Sequence, residues 1–166
     1  KTLLDIILGQ DTQLKYPPQT EKECRGSKEK RQVRLDVYAI DEDDVVYDTE
    51  PQKQNTKNLP KRSRLYQGLI DSNLLPPGSI DFNALNTVII IMIMPFDLFG
   101  YELYQYTFRM KCEEISELEL EDDATRIFLN RKKRVLRLII LSKQNKRNNL
   151  LLWFPQMKPM KLNLRW

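Results

Sequence analysis

Apolar positions along this chain repeat with two different periods, and the switches between them divide it into elements. Thr2 to Leu8 is short and apolar with Asp5 on it, which predicts the end of a helix. Gly9 to Arg31 is polar, carries Pro17-Pro18 and Cys24-Arg-Gly-Ser-Lys28, and predicts a loop. Gln32 to Ile40 alternates and predicts a strand; Val45 to Gln52 is its expected partner, with Asp41-Glu-Asp-Asp44 as the turn. Lys61 to Leu75 has helical spacing, with Leu65, Leu69 and Ile70 on one side and Arg62, Arg64 and Gln67 largely on the other. Pro76-Pro-Gly78 ends it. Val88 to Met94 is an unbroken β-branched and Met run, the pattern of a central strand buried on both faces. Leu103 to Met110 alternates again, with Tyr104, Tyr106 and Phe108 on one side as expected core. Glu113 to Asp123 is acidic surface, and Ile127 to Leu129 a short last strand. Helices mixed with strands in this order predict an α/β fold with a mixed sheet.

The turn decides what the hairpin presents. If Asp41 faces Val45 across a three-residue loop, Asp44 can take the left-handed conformation such a loop needs, and Asp36 falls opposite Glu50. Directly opposed residues have Cβ atoms about 4.5–5.5 Å apart and point to one face. Two bare carboxylates there repel unless a cation lies between them. All-oxygen ligands suit Mg²⁺, with Mn²⁺ an alternative. Gln52, two residues on, shares the face of Glu50 and is placed to orient water or a phosphate oxygen. The chemistry this supports is metal-assisted phosphodiester hydrolysis, with the Arg62 and Arg64 helix clamping backbone phosphates. The competing reading is plainer: solvated edge carboxylates, a wet arginine face, and Tyr66 as a half-buried anchor.

Composition narrows the classes. A chain of 166 residues is enough for one domain with a core. It has no histidine, which removes Ser-His-Asp and Cys-His catalysis. Its two cysteines, Cys24 and Cys112, are unclustered and predict no thiolate zinc site. No signal peptide is recognisable and no run is long enough to span a bilayer, so a reduced, cytoplasmic protein with no membrane partner and no small-molecule cofactor is expected. Residues 131–166 carry eleven Lys or Arg and no acid, which leaves 16 basic against 23 acidic residues in 1–130, a net of −7. The break predicts two segments, a domain at 1–130 and a basic tail at 131–166 with a nucleic-acid-binding composition. The tail's apolar fragments, Val135 to Leu141 and Leu150 to Phe154, lack clean caps and receive no element.

Four blocks carry a resemblance. Arg34-Leu-Asp-Val-Tyr38, Tyr47-Asp-Thr-Glu-Pro-Gln52, Asn58-Leu-Pro-Lys-Arg-Ser-Arg-Leu-Tyr-Gln67, and Pro95-Phe-Asp-Leu-Phe-Gly100 with Tyr106-Thr-Phe-Arg109 resemble, in order and spacing, the PD-(D/E)XK nuclease family transposases, the recombination-promoting nuclease group, over about residues 2–130. The resemblance implies a restriction-endonuclease-like core, a central mixed β-sheet flanked by helices and truncated at its N-terminus. It implies Mg²⁺-dependent DNA endonuclease activity linked to recombination. Asp36 and Glu50 would be metal ligands, Gln52 would stand where the superfamily usually has lysine, and Arg62, Arg64, Tyr66 and Gln67 would line the site. Pro51 removes a ladder donor from an expected internal strand, and the tail reads as a possible frameshift product. A catalytically inactive remnant or DNA-binding module of the same fold is the alternative.

Overall fold

The computed structural model describes residues 3–25 and 33–131. The described residues fall into two compact units, 13–25 with 33–131 in one and 3–12 in the other. The tail fragments and the end of the expected 9–31 loop lie outside the described residues. In the second unit α1 spans Leu3–Leu8 and buries Leu3, Leu4 and Ile7. Asp5 is spent locally: its Oδ1 accepts the Thr12 N–H at 2.7 Å and its carbonyl the Gly9 N–H at 3.1 Å.

The larger unit is a mixed sheet of six strands in the order β1-β2-β3-β4-β6-β5. These are β1 Gln19–Cys24, β2 Val33–Ile40, β3 Val46–Pro51, β4 Val88–Met94, β5 Gln105–Phe108 and β6 Ala124–Asn130, with α2 Leu59–Leu74 between β3 and β4. β3, β4 and β6 run parallel; β2 joins β3, and β5 joins β6, antiparallel. The unbroken apolar run is β4, flanked by parallel strands and buried throughout except Ile89 at its start. One residue set, Val46, Ile90, Met92, Met94 and Phe128, meets Leu59, Tyr66 and Ile70 of α2 to form the core on that side.

Three expectations need correcting. The 9–31 loop contains β1, whose sequence Gln-Thr-Glu-Lys-Glu-Cys has no apolar alternation because it is the sheet's outer edge and buries only Cys24 fully. Charged side chains on such an edge discourage pairing with other chains. The inward face of α2 is Leu59, Ser63, Tyr66, Gln67 and Ile70, while Leu65 is 47% exposed. Ser63 tolerates burial because its hydroxyl donates to the Pro60 carbonyl at 2.9 Å, so a polar residue occupies the stripe where an apolar one was expected. On β5 only Tyr106 is buried; Phe108 is 42% exposed although its ring lies 5.0 Å from Phe99 and 5.6 Å from Phe128. Among the described residues no helix is long and apolar enough to cross a membrane.

Candidate active site

The β2–β3 turn forms as its residues dictate. Asp44 takes φ +59°, Asp41 N–H donates to the Val45 carbonyl at 3.1 Å, and pairing runs from Ile40 opposite Val46 to Val37 opposite Thr49. Asp41 organises the corner: it is buried and accepts from Asp43 N–H (3.0 Å), Val45 N–H (2.8 Å) and the Tyr47 hydroxyl (2.7 Å). Extending this register brings Asp36 opposite Glu50.

At that point the neighbouring ladder is interrupted. β1–β2 partners run from Gln19 with Tyr38 to Cys24 with Val33 but skip Glu21 and Asp36, and Glu21 has φ +56°. Val33, Leu35 and then Tyr38 belong to the same α2-side core, so the alternation of β2 slips at Asp36. Asp36 N–H, released from β1, donates to Glu50 Oε1 at 2.9 Å. Glu50 Oε2 accepts from Arg62 Nη2 at 3.0 Å. The Asp36 side chain itself stays exposed, while Glu50 is 1% exposed.

A third carboxylate shares the face. Strand period two places Asp48 with Glu50 and Gln52 on β3. Asp48 is 0% exposed, and neither of its oxygens has a hydrogen-bond partner. It lies close enough to Glu50 that a proton on either carboxyl would join them, but as two carboxylates they offer each other no donor. Across the hairpin it pairs with Tyr38, whose buried hydroxyl also lacks a partner.

The electrostatics follow from crowding. Burial first, and repulsion by Asp36, push the Glu50 carboxyl up to about 7, against the opposing pull of Asp36 N–H and Arg62. Burial, then Glu50 and Asp36, drive Asp48 well above the carboxylate range. Burial raises Asp36 too, with Arg62 opposing and Glu21 reinforcing it. Arg62 is thus the cation set against all three; ionised, the carboxylates and one guanidinium leave a net −2.

The other expected residues divide. Tyr66 is buried beside Arg62, whose guanidinium carbon lies 5.3 Å from its ring centroid. Gln52 is half-buried, and its amide approaches the Glu50 carbonyl at 3.4 Å. Arg64 is exposed. Gln67 points away from the carboxylates and donates to Asp71 at 3.1 Å. Sequence reasoning passed over Asp48, although its two-residue offset from Glu50 on a strand was visible.

Pro51 does not break β3. Val46 N–H and Gln52 N–H donate to Thr87 and Ile93 of the β4 side at 2.8 Å each, so even-numbered donors face β4 and the missing one at Pro51 faces β2. There the paired residues already end at Val37 and Thr49.

A mixed six-stranded sheet with helices is consistent with a restriction-endonuclease-like nuclease fold. The chain belongs to the PD-(D/E)XK nuclease family transposases, whose sequence model matches residues 2–162. That match runs past Asn130, where the motif resemblance ended. Nucleases of this kind generally use divalent metals, and the family implies DNA as substrate. No curated protein and no solved structure matches the chain.

The residues present fit such a metal. Asp48 supplies buried oxygens without a donor, the ligand atoms are all oxygen, and with all three carboxyls ionised one guanidinium would leave a net −2. Among the described residues no three His, Cys, Asp or Glu side chains form a ready cage. That suits Mg²⁺, which takes one or two carboxylates and keeps several waters.

Proposed function

We propose that this protein is a Mg²⁺-dependent DNA endonuclease of a recombination-promoting type. The observation that carries the reading is geometric: Asp36, Asp48 and Glu50 crowd together on two adjacent strands, Asp48 and Glu50 fully buried, with the Arg62 guanidinium bonded to Glu50. Asp36 and Glu50 would hold the cation, which when bound supplies an acidified water and stabilises charge on the scissile phosphate. Arg62 fixes the Glu50 carboxylate through Oε2, which keeps one oxygen array oriented and limits repulsion before a cation arrives. Gln52, on the same face, is placed to orient water or a phosphate oxygen. Tyr66 props Arg62, and Arg64, exposed two residues on, is free to meet the DNA backbone. Gln67 acts from a distance, by holding Asp71.

Plasmid cleavage with and without Mg²⁺ tests this. The expected result is Mg²⁺-dependent nicking by the wild-type chain, lost in Asp36→Asn and Glu50→Gln, with DNA affinity nearly unchanged. Folded protein that binds DNA yet never cleaves it with any divalent cation would establish the binding-module reading instead.

A further inference from the structure

We propose that Asp48 is itself a ligand of the divalent cation, paired with Glu50 on one face of β3. The inference rests on the nuclease reading and deepens it by giving Glu50 a partner ligand on its own strand. Three observations converge. Asp48 is 0% exposed and both its oxygens lack any donor, a costly state for a carboxylate that bound metal would relieve. The oxygens of Glu50 are already engaged, Oε1 by Asp36 N–H at 2.9 Å and Oε2 by Arg62 at 3.0 Å, so Glu50 is oriented but partly committed. Asp36, the other acid, is exposed, whereas Asp48 is sealed in with Glu50.

Arg62 opposes the charge of Asp48 without bonding it. Arg62 bonds Glu50 rather than Asp48, and Tyr38, opposite Asp48 in the hairpin, does not donate to it although its own hydroxyl is unpartnered. With both oxygens buried and without a donor, Asp48 is left to share a proton with Glu50 or to bond a group from outside the chain. The cation class is hard and divalent, because every nearby donor is oxygen.

The test is Mn²⁺ binding to the full chain, followed by electron paramagnetic resonance of free Mn²⁺ and by calorimetry, with no DNA and no turnover. Wild type, Asp48→Asn and Glu50→Gln are compared, with folding checked by circular dichroism. Loss of a residue that merely supports a ligand weakens metal affinity about 10–100-fold, so Asp48→Asn is expected to weaken Mn²⁺ at least tenfold. Its melting temperature in EDTA should equal or exceed that of wild type, since a buried charge has gone. Asp48→Ser serves if the asparagine variant does not fold. Mn²⁺ affinity within about twofold of wild type in the Asp48 variant, with Glu50→Gln binding lost, overturns the Asp48 assignment alone. A wild-type chain that binds no Mn²⁺ overturns both this inference and the nuclease reading.

Discussion

Metal-free protein should lose stability as pH rises through neutrality, and a divalent cation should restore it. The perturbation is pH, and the group that reports it is Glu50. Its carboxyl is raised from 4.5 to about 7, chiefly by burial. The folded state therefore binds more protons than the unfolded chain between those values, and stability falls as pH rises across that window. The contribution is complete below about 4.5 and gone above about 7. At 1.36 kcal/mol per pH unit, that displacement is worth about 3 kcal/mol. For a chain of this size such a loss lowers the melting temperature by roughly 6–12 °C. Asp48 is raised in the same direction, so the measured midpoint belongs to the pair. The assay is urea unfolding in EDTA at intervals from pH 4.5 to 8, for wild type and Glu50→Gln. Hydrogen bonds lost in the variant add a pH-independent offset, so the difference in slope isolates the carboxyl. Mg²⁺ at 100 times its Kd should return about 2.7 kcal/mol at pH 8 and little at pH 5. Identical slopes in the two proteins would refute the argument that crowding at Glu50 sets the local charge.

Arg62→Ala should destabilise the fold by about 3 kcal/mol in urea titrations, because it strips a 1%-exposed carboxylate of its ionic partner; a change below about 0.5 kcal/mol would mean the ion pair is not formed in solution. Asp41→Ala should cost about 2–4 kcal/mol, since the Tyr47 hydroxyl and two turn N–H groups lose their acceptor, and Asp41→Asn less, because it still accepts at Oδ1. Pro51→Val should change stability by less than about 1 kcal/mol, because the donor it adds faces beyond the end of the β2 ladder; a tenfold gain in cleavage on that change would show that Pro51 does impair the site.

The parts of this molecule that were legible from its sequence are those where one signal dominates. The turn was legible because Asp44 tolerates a left-handed backbone, and its register then fixed the partner of every residue up to Val37. β4 was legible because a strand buried on both faces leaves no polar position to confuse the pattern. β1 was not, because an edge strand of Gln, Thr, Glu and Lys buries too little to carry a periodic signal. The inward face of α2 was misassigned for the opposite reason: Ser63 and Gln67 are buried with their polar groups bonded, which hydrophobicity counts as exposure.

The same limit explains the site. That Asp36 and Glu50 lie together was legible from register alone, but how they bond was not, because it depends on where the alternation of β2 slips. A left-handed Glu21 on the neighbouring strand frees the Asp36 N–H, and that one donor orients Glu50. Arg62, expected to grip phosphate, donates to the other Glu50 oxygen. Both engagements stabilise Glu50 as an ion, and both fall short of the burial and repulsion that oppose it. Asp48 then adds a second buried carboxyl whose oxygens accept from no donor. A chain selected only for stability would replace Asp48 with an apolar residue of β3. Burying an ionised Asp48 costs stability that a bound cation would return, which is why cation binding, rather than cleavage, is the decisive observable for this site.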